Sequence, residues 1–165
     1  MNTSNQLKKI GKLILKNHPG VRTIYEIADL FNIPHYRVHE GKGFMYRWAV
    51  NLSPKVEIWW PKIEPLRPRS GWVNLPQYDS AQEVNEISEK YTKSPARNRT
   101  HINELKQPNV RPQRRIVFAR FKGGKAYEYI GVFRFDANRS VNSAVWVKVA
   151  DDCDLNDVCS SKGNA

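Results

Sequence analysis

Cysteine is nearly absent from this sequence: Cys153 and Cys159 are the only two in 165 residues, and both lie near the C-terminal end. Two thiols build neither a disulfide framework nor the four-cysteine shell of a structural zinc. Long apolar runs are missing as well. None approaches the ~20 residues that a membrane-spanning helix requires, and the opening MNTSNQLKKIGKLILKN has neither the unbroken apolar core nor the small-residue cleavage site of a signal peptide. The expectation is a cytoplasmic protein with no membrane contact. Catalytic signatures are equally scarce: there is no HNH pattern, no Walker loop and no Ser/His/Asp or Cys/His arrangement. Acidic residues are the last deficit. Sixteen Asp and Glu stand against 27 Lys and Arg, a net charge of +11 and a pI of about 9.8, and such a field attracts polyanions over roughly a Debye length. Nucleic acid is the partner this predicts, ahead of an anionic membrane surface.

What the chain does contain is concentrated in Arg115 to Val149, RIVFARFKGGKAYEYIGVFRFDANRSVNSAVWVKV. Three runs rich in Val, Ile, Phe, Tyr and Trp are separated by turn residues, and Lys122-Gly123-Gly124-Lys125 supplies the glycines of a tight hairpin. The spacing predicts a β-meander over 115–149. Ile116, Phe118 and Arg120 fall on one face of the first run and Val117, Ala119 and Phe121 on the other. Both faces carry apolar groups, so the sheet is expected to be covered on both sides or curled into a small barrel.

At 40% hydrophobic and 26% charged residues, the chain is long enough for one real core, and one domain over 1–165 is predicted. Leu7, Ile10, Leu13 and Ile14 recur at helical spacing, as do Ile24, Ile27, Ala28 and Phe31, with Thr23 placed to cap the second helix. Residues 1–33 therefore read as a helical hairpin. Phe44–Trp60 reads as a β-hairpin around Ser53-Pro54. The stretch 61–114 reads as a connector: four prolines between Pro61 and Pro76, a polar helix from Asp79 or Ser80 to about Tyr91, then a basic arm, Thr92–Arg115, with five arginines and three prolines. Glu83, Glu86 and Glu89 would share a helix face there; they read as a solvated face and not as a metal site. A short final turn and a frayed tail are expected over 150–165. The fold class is α+β, a small curled mixed sheet or barrel with an N-terminal helical hairpin and one further helix.

Two ingredients of nucleic-acid recognition interleave in this pattern. Arg97, Arg99, Arg111, Arg114, Arg115, Arg120, Lys122, Lys125 and Arg134 are the candidate phosphate contacts, and Trp48, Trp59, Tyr127, Tyr129 and Trp146 are the candidate rings of a pocket that stacks a base. No metal or cofactor set is signposted. The best enzymatic cluster is His35, His39 and Glu40, which would suit general acid and base work in a small nuclease. A third reading is a counter-defence inhibitor whose basic face meets an acidic protein.

Arg115-Ile-Val-Phe-Ala-Arg-Phe, Tyr127-Glu-Tyr-Ile-Gly-Val-Phe and Val145-Trp-Val-Lys-Val resemble the β-core of the PUA-like superfamily, over about residues 113–150. More narrowly they are similar to modules attached to HNH endonucleases and restriction helicases, akin to the SET-and-RING-associated (SRA) and EVE domains. The resemblance implies a small mixed barrel with flanking helices and a concave face where an extruded, modified base is stacked between rings. It implies a reader of DNA, more than of RNA, acting in restriction or its evasion, with a protein partner supplying any catalysis.

Overall fold

In the computed structural model, the residues described are 11–14, 20–39, 49–63, 71–75, 84–121 and 123–155. The meander stretch forms β7 (Arg114–Phe121), β8 (Glu128–Phe135) and β9 (Ala144–Ala150), paired antiparallel in sequence order. β2 (Ala49–Asn51) and β3 (Val56–Trp59) pair antiparallel, and β3 then lies parallel to β7, with Glu57 opposite Arg115. β4 (Lys62–Ile63) continues alongside β7, while β5 (Trp72–Leu75) and β6 (Glu86–Tyr91) extend the other edge through β9. The order is β2-β3-β7-β8-β9-β6-β5, with β4 also on β7. This mixed sheet curls until its far edge approaches its near one: Asn74 Nδ2 on β5 donates to the Lys62 carbonyl on β4 (3.1 Å).

The curl divides the core in two. Ile58, Ile116, Phe118 and Tyr129 face an outer layer with Ile27, Leu30 and Phe31, whereas Trp59, Val117, Ala119, Ile130, Phe133 and Trp146 fill the inside with Ile102 and Leu105. The two-residue alternation of β7 is thus used on both faces. A bulge near Val117/Phe118 bends β7 against β8. Gly131 sits opposite it with φ +119, and a Cβ there would lie 2.7 Å from the Ala150 carbonyl oxygen.

The helices are α1 (Ile24–Leu30) and α2 (Pro95–Leu105), with a 3₁₀ turn at His35–Val38. Thr23 caps α1 by accepting from the Glu26 amide (3.2 Å). The helical hairpin over 1–33 is corrected to a single described helix. Lys12–Ile14 is β1, paired with β10 (Asp152–Asp154), and Leu13 is buried; residues 1–10 and 15–19 lie outside the described set. The same pairing corrects the frayed tail over 150–155, since Cys153 and Leu155 are buried, while residues 156–165, Cys159 among them, lie outside the described set. Pairing between distant segments overrides local periodicity here.

Two further expectations change. The polar helix over 79–91 is a strand from Glu86 on, with Ile87, Glu89 and Tyr91 inward. The basic arm contains α2, started by the Ser94 side chain accepting from the Arg97 amide and by Pro95 in the first turn. Its buried face is Asn98, His101, Ile102 and Leu105; two of the four are polar, so apolar periodicity does not reveal it. Among the described residues no helix is long and apolar enough to cross a membrane.

Candidate functional site

The interior of the curl holds charge. Arg115 is 0% exposed, bonds Glu57 through Nε and Glu89 through Nη1 (3.0 Å), and lies 4.4 Å from the Trp59 ring and 3.8 Å from the Trp146 ring. Glu89 Oε1 also accepts from His101 Nε2 (2.8 Å) and Trp146 Nε1 (3.3 Å). Burial opposes ionisation of Glu89, but the Arg115 charge and the His101 contact outweigh it and hold the carboxyl at about 2. The flat seat between two tryptophans is therefore filled by the chain's own guanidinium, in a cation–π arrangement.

This corrects the expectation that rings and cations converge on one face of the last three strands. Trp59, Tyr129 and Trp146 are at most 2% exposed and Tyr127 7%: they are core. Trp48 lies outside the described residues. Arg115 reaches no phosphate. Arg111 is tied to Glu57 and Glu104, both at 3.8 Å, so its charge is spoken for. Arg97 stacks over Tyr91 (4.3 Å) and donates to its hydroxyl (3.0 Å); Arg99 is exposed on α2. The remaining cations separate to the two ends of β7. Arg120, half-buried and donating to the Gly124 carbonyl (3.1 Å), and exposed Lys125 lie by the Gly123-Gly124 turn; Arg114 and Arg134 lie at the opposite end. Lys122 is outside the described set.

His35 and His39 flank the Tyr25 ring, at 4.7 and 5.7 Å between centroids. They serve different partners: His35 Nε2 meets Asp29 Oδ1 (2.6 Å) and His39 Nε2 meets the Tyr25 hydroxyl (2.6 Å). Glu40 is outside the described residues. No group of three or more His, Cys, Asp or Glu able to hold a metal occurs among the described residues.

The end of the curl marked by Arg120 offers a different feature, which sequence reasoning missed. Lys62 and Ile63 lie beside Arg120 and Phe121, and Asn74 reaches Lys62 from the facing edge. Asn74 is 8% exposed, and its Oδ1 is buried with no hydrogen-bond partner among the described residues. A buried amide oxygen without a donor costs about 1–3 kcal/mol. The only sequence cue was Trp72-Val73-Asn74, a polar residue sharing the inward face of a strand with a tryptophan two positions before it. At this end of the curl Lys62 and Lys125 are exposed and Arg120 is half-buried.

The described geometry has known counterparts. The model of the SET and RING associated domain matches residues 6–155, well beyond the 113–150 over which the resemblance was legible. The 5-hydroxymethylcytosine-specific restriction enzyme AbaSI is similar in structure, with a TM-score of 0.62 at 19% identity, over 92% of this chain and 44% of that one. The chain thus spans less than half the length of that enzyme. No curated protein matches. With a curled mixed sheet, two flanking helices and a match over nearly its whole length, the chain belongs to the SET and RING associated domain family, PUA-like modules that bind DNA and read modified bases.

Proposed function

We propose that this chain reads a modified cytosine extruded from duplex DNA into the mouth between β4 and β5, and that Asn74 is its base-edge contact. The observation that carries the reading is the buried, unpartnered Asn74 Oδ1. A hydroxymethyl substituent adds a hydroxyl donor that unmodified cytosine lacks, and that hydroxyl would satisfy the oxygen. Extrusion costs a few kcal/mol, which the pocket recovers through stacking and hydrogen bonds to the base edge. In this reading Lys62, Arg120 and Lys125 hold the phosphates beside the extruded nucleotide, with Lys122 and Trp48 proposed on sequence as further phosphate and ring contacts.

The similarity to a 5-hydroxymethylcytosine-specific restriction enzyme supports hydroxymethylcytosine as the preferred base and restriction, or its evasion, as the setting. Cutting belongs in this reading to a separate domain or partner protein, because the His35 and His39 Nε2 atoms are engaged with separate groups, Asp29 and the Tyr25 hydroxyl. Competition between duplexes that differ at one cytosine, unmodified, methylated or hydroxymethylated, tests the proposal. Asn74→Ala should remove the preference, by tenfold or more, while leaving affinity for unmodified DNA nearly unchanged. Equal affinity of the unaltered protein for all three duplexes overturns the reading.

A further inference from the structure

The far end of β7 carries a feature that base reading does not use. Arg114 on β7 and Arg134 on β8 are directly opposite each other in the antiparallel ladder, and both are exposed. Directly opposed like charges destabilise a strand pair. Neither guanidinium has a carboxylate within ion-pair distance among the described residues, whose ion pairs involve other arginines. Beside them exposed Lys55, whose carbonyl accepts from the Arg114 amide (3.3 Å), shares an open groove with Arg114. The groove runs between the β2–β3 turn and the α2–β7 loop, and Asn51, Ser53, Asn109 and Gln113 line it alongside apolar Leu52, Val110 and three prolines. Glu57, two residues from Lys55, points inward and is committed to Arg115, and Asp136, two residues from Arg134, accepts from the Arg139 amide (3.3 Å).

We infer that Lys55, Arg114 and Arg134 form a second phosphate-binding surface, which takes the backbone of DNA lying outside the segment whose base is read. Lys55 and Arg114 on the groove and Arg134 opposite Arg114, none of them in an ion pair among the described residues, fit an anion with oxygens at several points along its length. Lysine and arginine beside amide and hydroxyl side chains are the usual contacts to a phosphodiester backbone. The surface is not a continuation of the mouth. From Arg114 to Arg120 the strand advances six residues, about 20 Å at a rise of roughly 3.3 Å each. A straight duplex of ten base pairs centred on the mouth extends only about 17 Å to either side. DNA therefore reaches the second surface as the continuation of a duplex longer than about twelve base pairs, or as a separate segment.

This inference rests on the DNA-reading proposal, and salt dependence separates the two. Each phosphate neutralised contributes about −0.9 to the slope of log affinity against log salt. For a 30-base-pair duplex, the triple variant K55Q/R114Q/R134Q should lower the magnitude of that slope by roughly 2–3 and weaken binding at least tenfold at 0.15 M salt. The charge-retaining pair R114K/R134K should keep the slope. All three residues are exposed, and urea unfolding of the triple variant checks that its fold is kept. If one continuous duplex spans both surfaces, ten-base-pair duplexes bind the variant and the unaltered protein alike. If a separate segment is held, two such duplexes bind the unaltered protein and one binds the variant. An unchanged slope and affinity for the long duplex, in a protein that still prefers the modified base, overturns the second surface alone. Loss of preference in the unaltered protein overturns the base-reading proposal whatever the slope does.

Discussion

Replacing Glu89 with Gln perturbs the buried network at one atom group without emptying it. The amide keeps an oxygen for Arg115, His101 and Trp146 but removes the charge that balances Arg115, leaving Glu57 as the guanidinium's remaining carboxylate. The folded carboxyl is held at about 2 against an ordinary value of 4.5, worth about 3 kcal/mol at pH 7 by linkage. The sign follows from the depressed value. The contribution is fully present above about 4.5 and is lost as pH falls towards 2. Glu89→Gln should therefore lower the unfolding free energy by about 3 kcal/mol at pH 7, in line with breaking one partner of a buried ion pair. The gap between the two proteins should shrink to roughly 1 kcal/mol at pH 3. Urea titrations followed by tryptophan fluorescence at both pH values read this directly, since Trp59 and Trp146 enclose the network. A gap that is the same at pH 7 and pH 3 refutes the claim that Glu89 is held ionised by its neighbours.

Trp146→Ala removes a fully buried ring and should cost about 3–5 kcal/mol, read as a lowered urea midpoint. Gly131→Ala forces a Cβ onto the Ala150 carbonyl at a positive φ, so a loss of about 1–3 kcal/mol is expected, whereas the open Gly123 position should tolerate alanine with a smaller, purely conformational cost. Thr23→Ala deletes the cap of α1 and should lower stability by about 1 kcal/mol in the same assay.

The meander was legible because its strands alternate apolar residues on both faces and its turn carries paired glycines. β6 and α2 were not, for one physical reason. Each buries polar side chains inside the curl, Glu89 from β6, Asn98 and His101 from α2, so the apolar pattern that marks an inward face is broken where the interior network is built. The glutamates of 83–89 then read as helix surface, and a helix with a half-polar buried face reads as an arm. The rings were recognised as special residues, but their guest was misjudged. Tryptophans flanking an arginine look alike in sequence whether the cation between them comes from the chain or the plane between them comes from a ligand. Asn74 escaped notice because an isolated amide in a short strand carries no periodic signal; only the absence of a donor around its oxygen, a property of the folded interior, singles it out.

The claim at the centre of this account is that a base leaves the helix to occupy the mouth beside Asn74. A duplex carrying 2-aminopurine next to a hydroxymethylcytosine reports that event, because the probe brightens when its neighbour unstacks. The account predicts a rise in fluorescence on saturation with the protein, larger for the hydroxymethylated duplex than for its unmodified twin and reduced by Asn74→Ala. Saturated binding with no change in fluorescence from either duplex contradicts it.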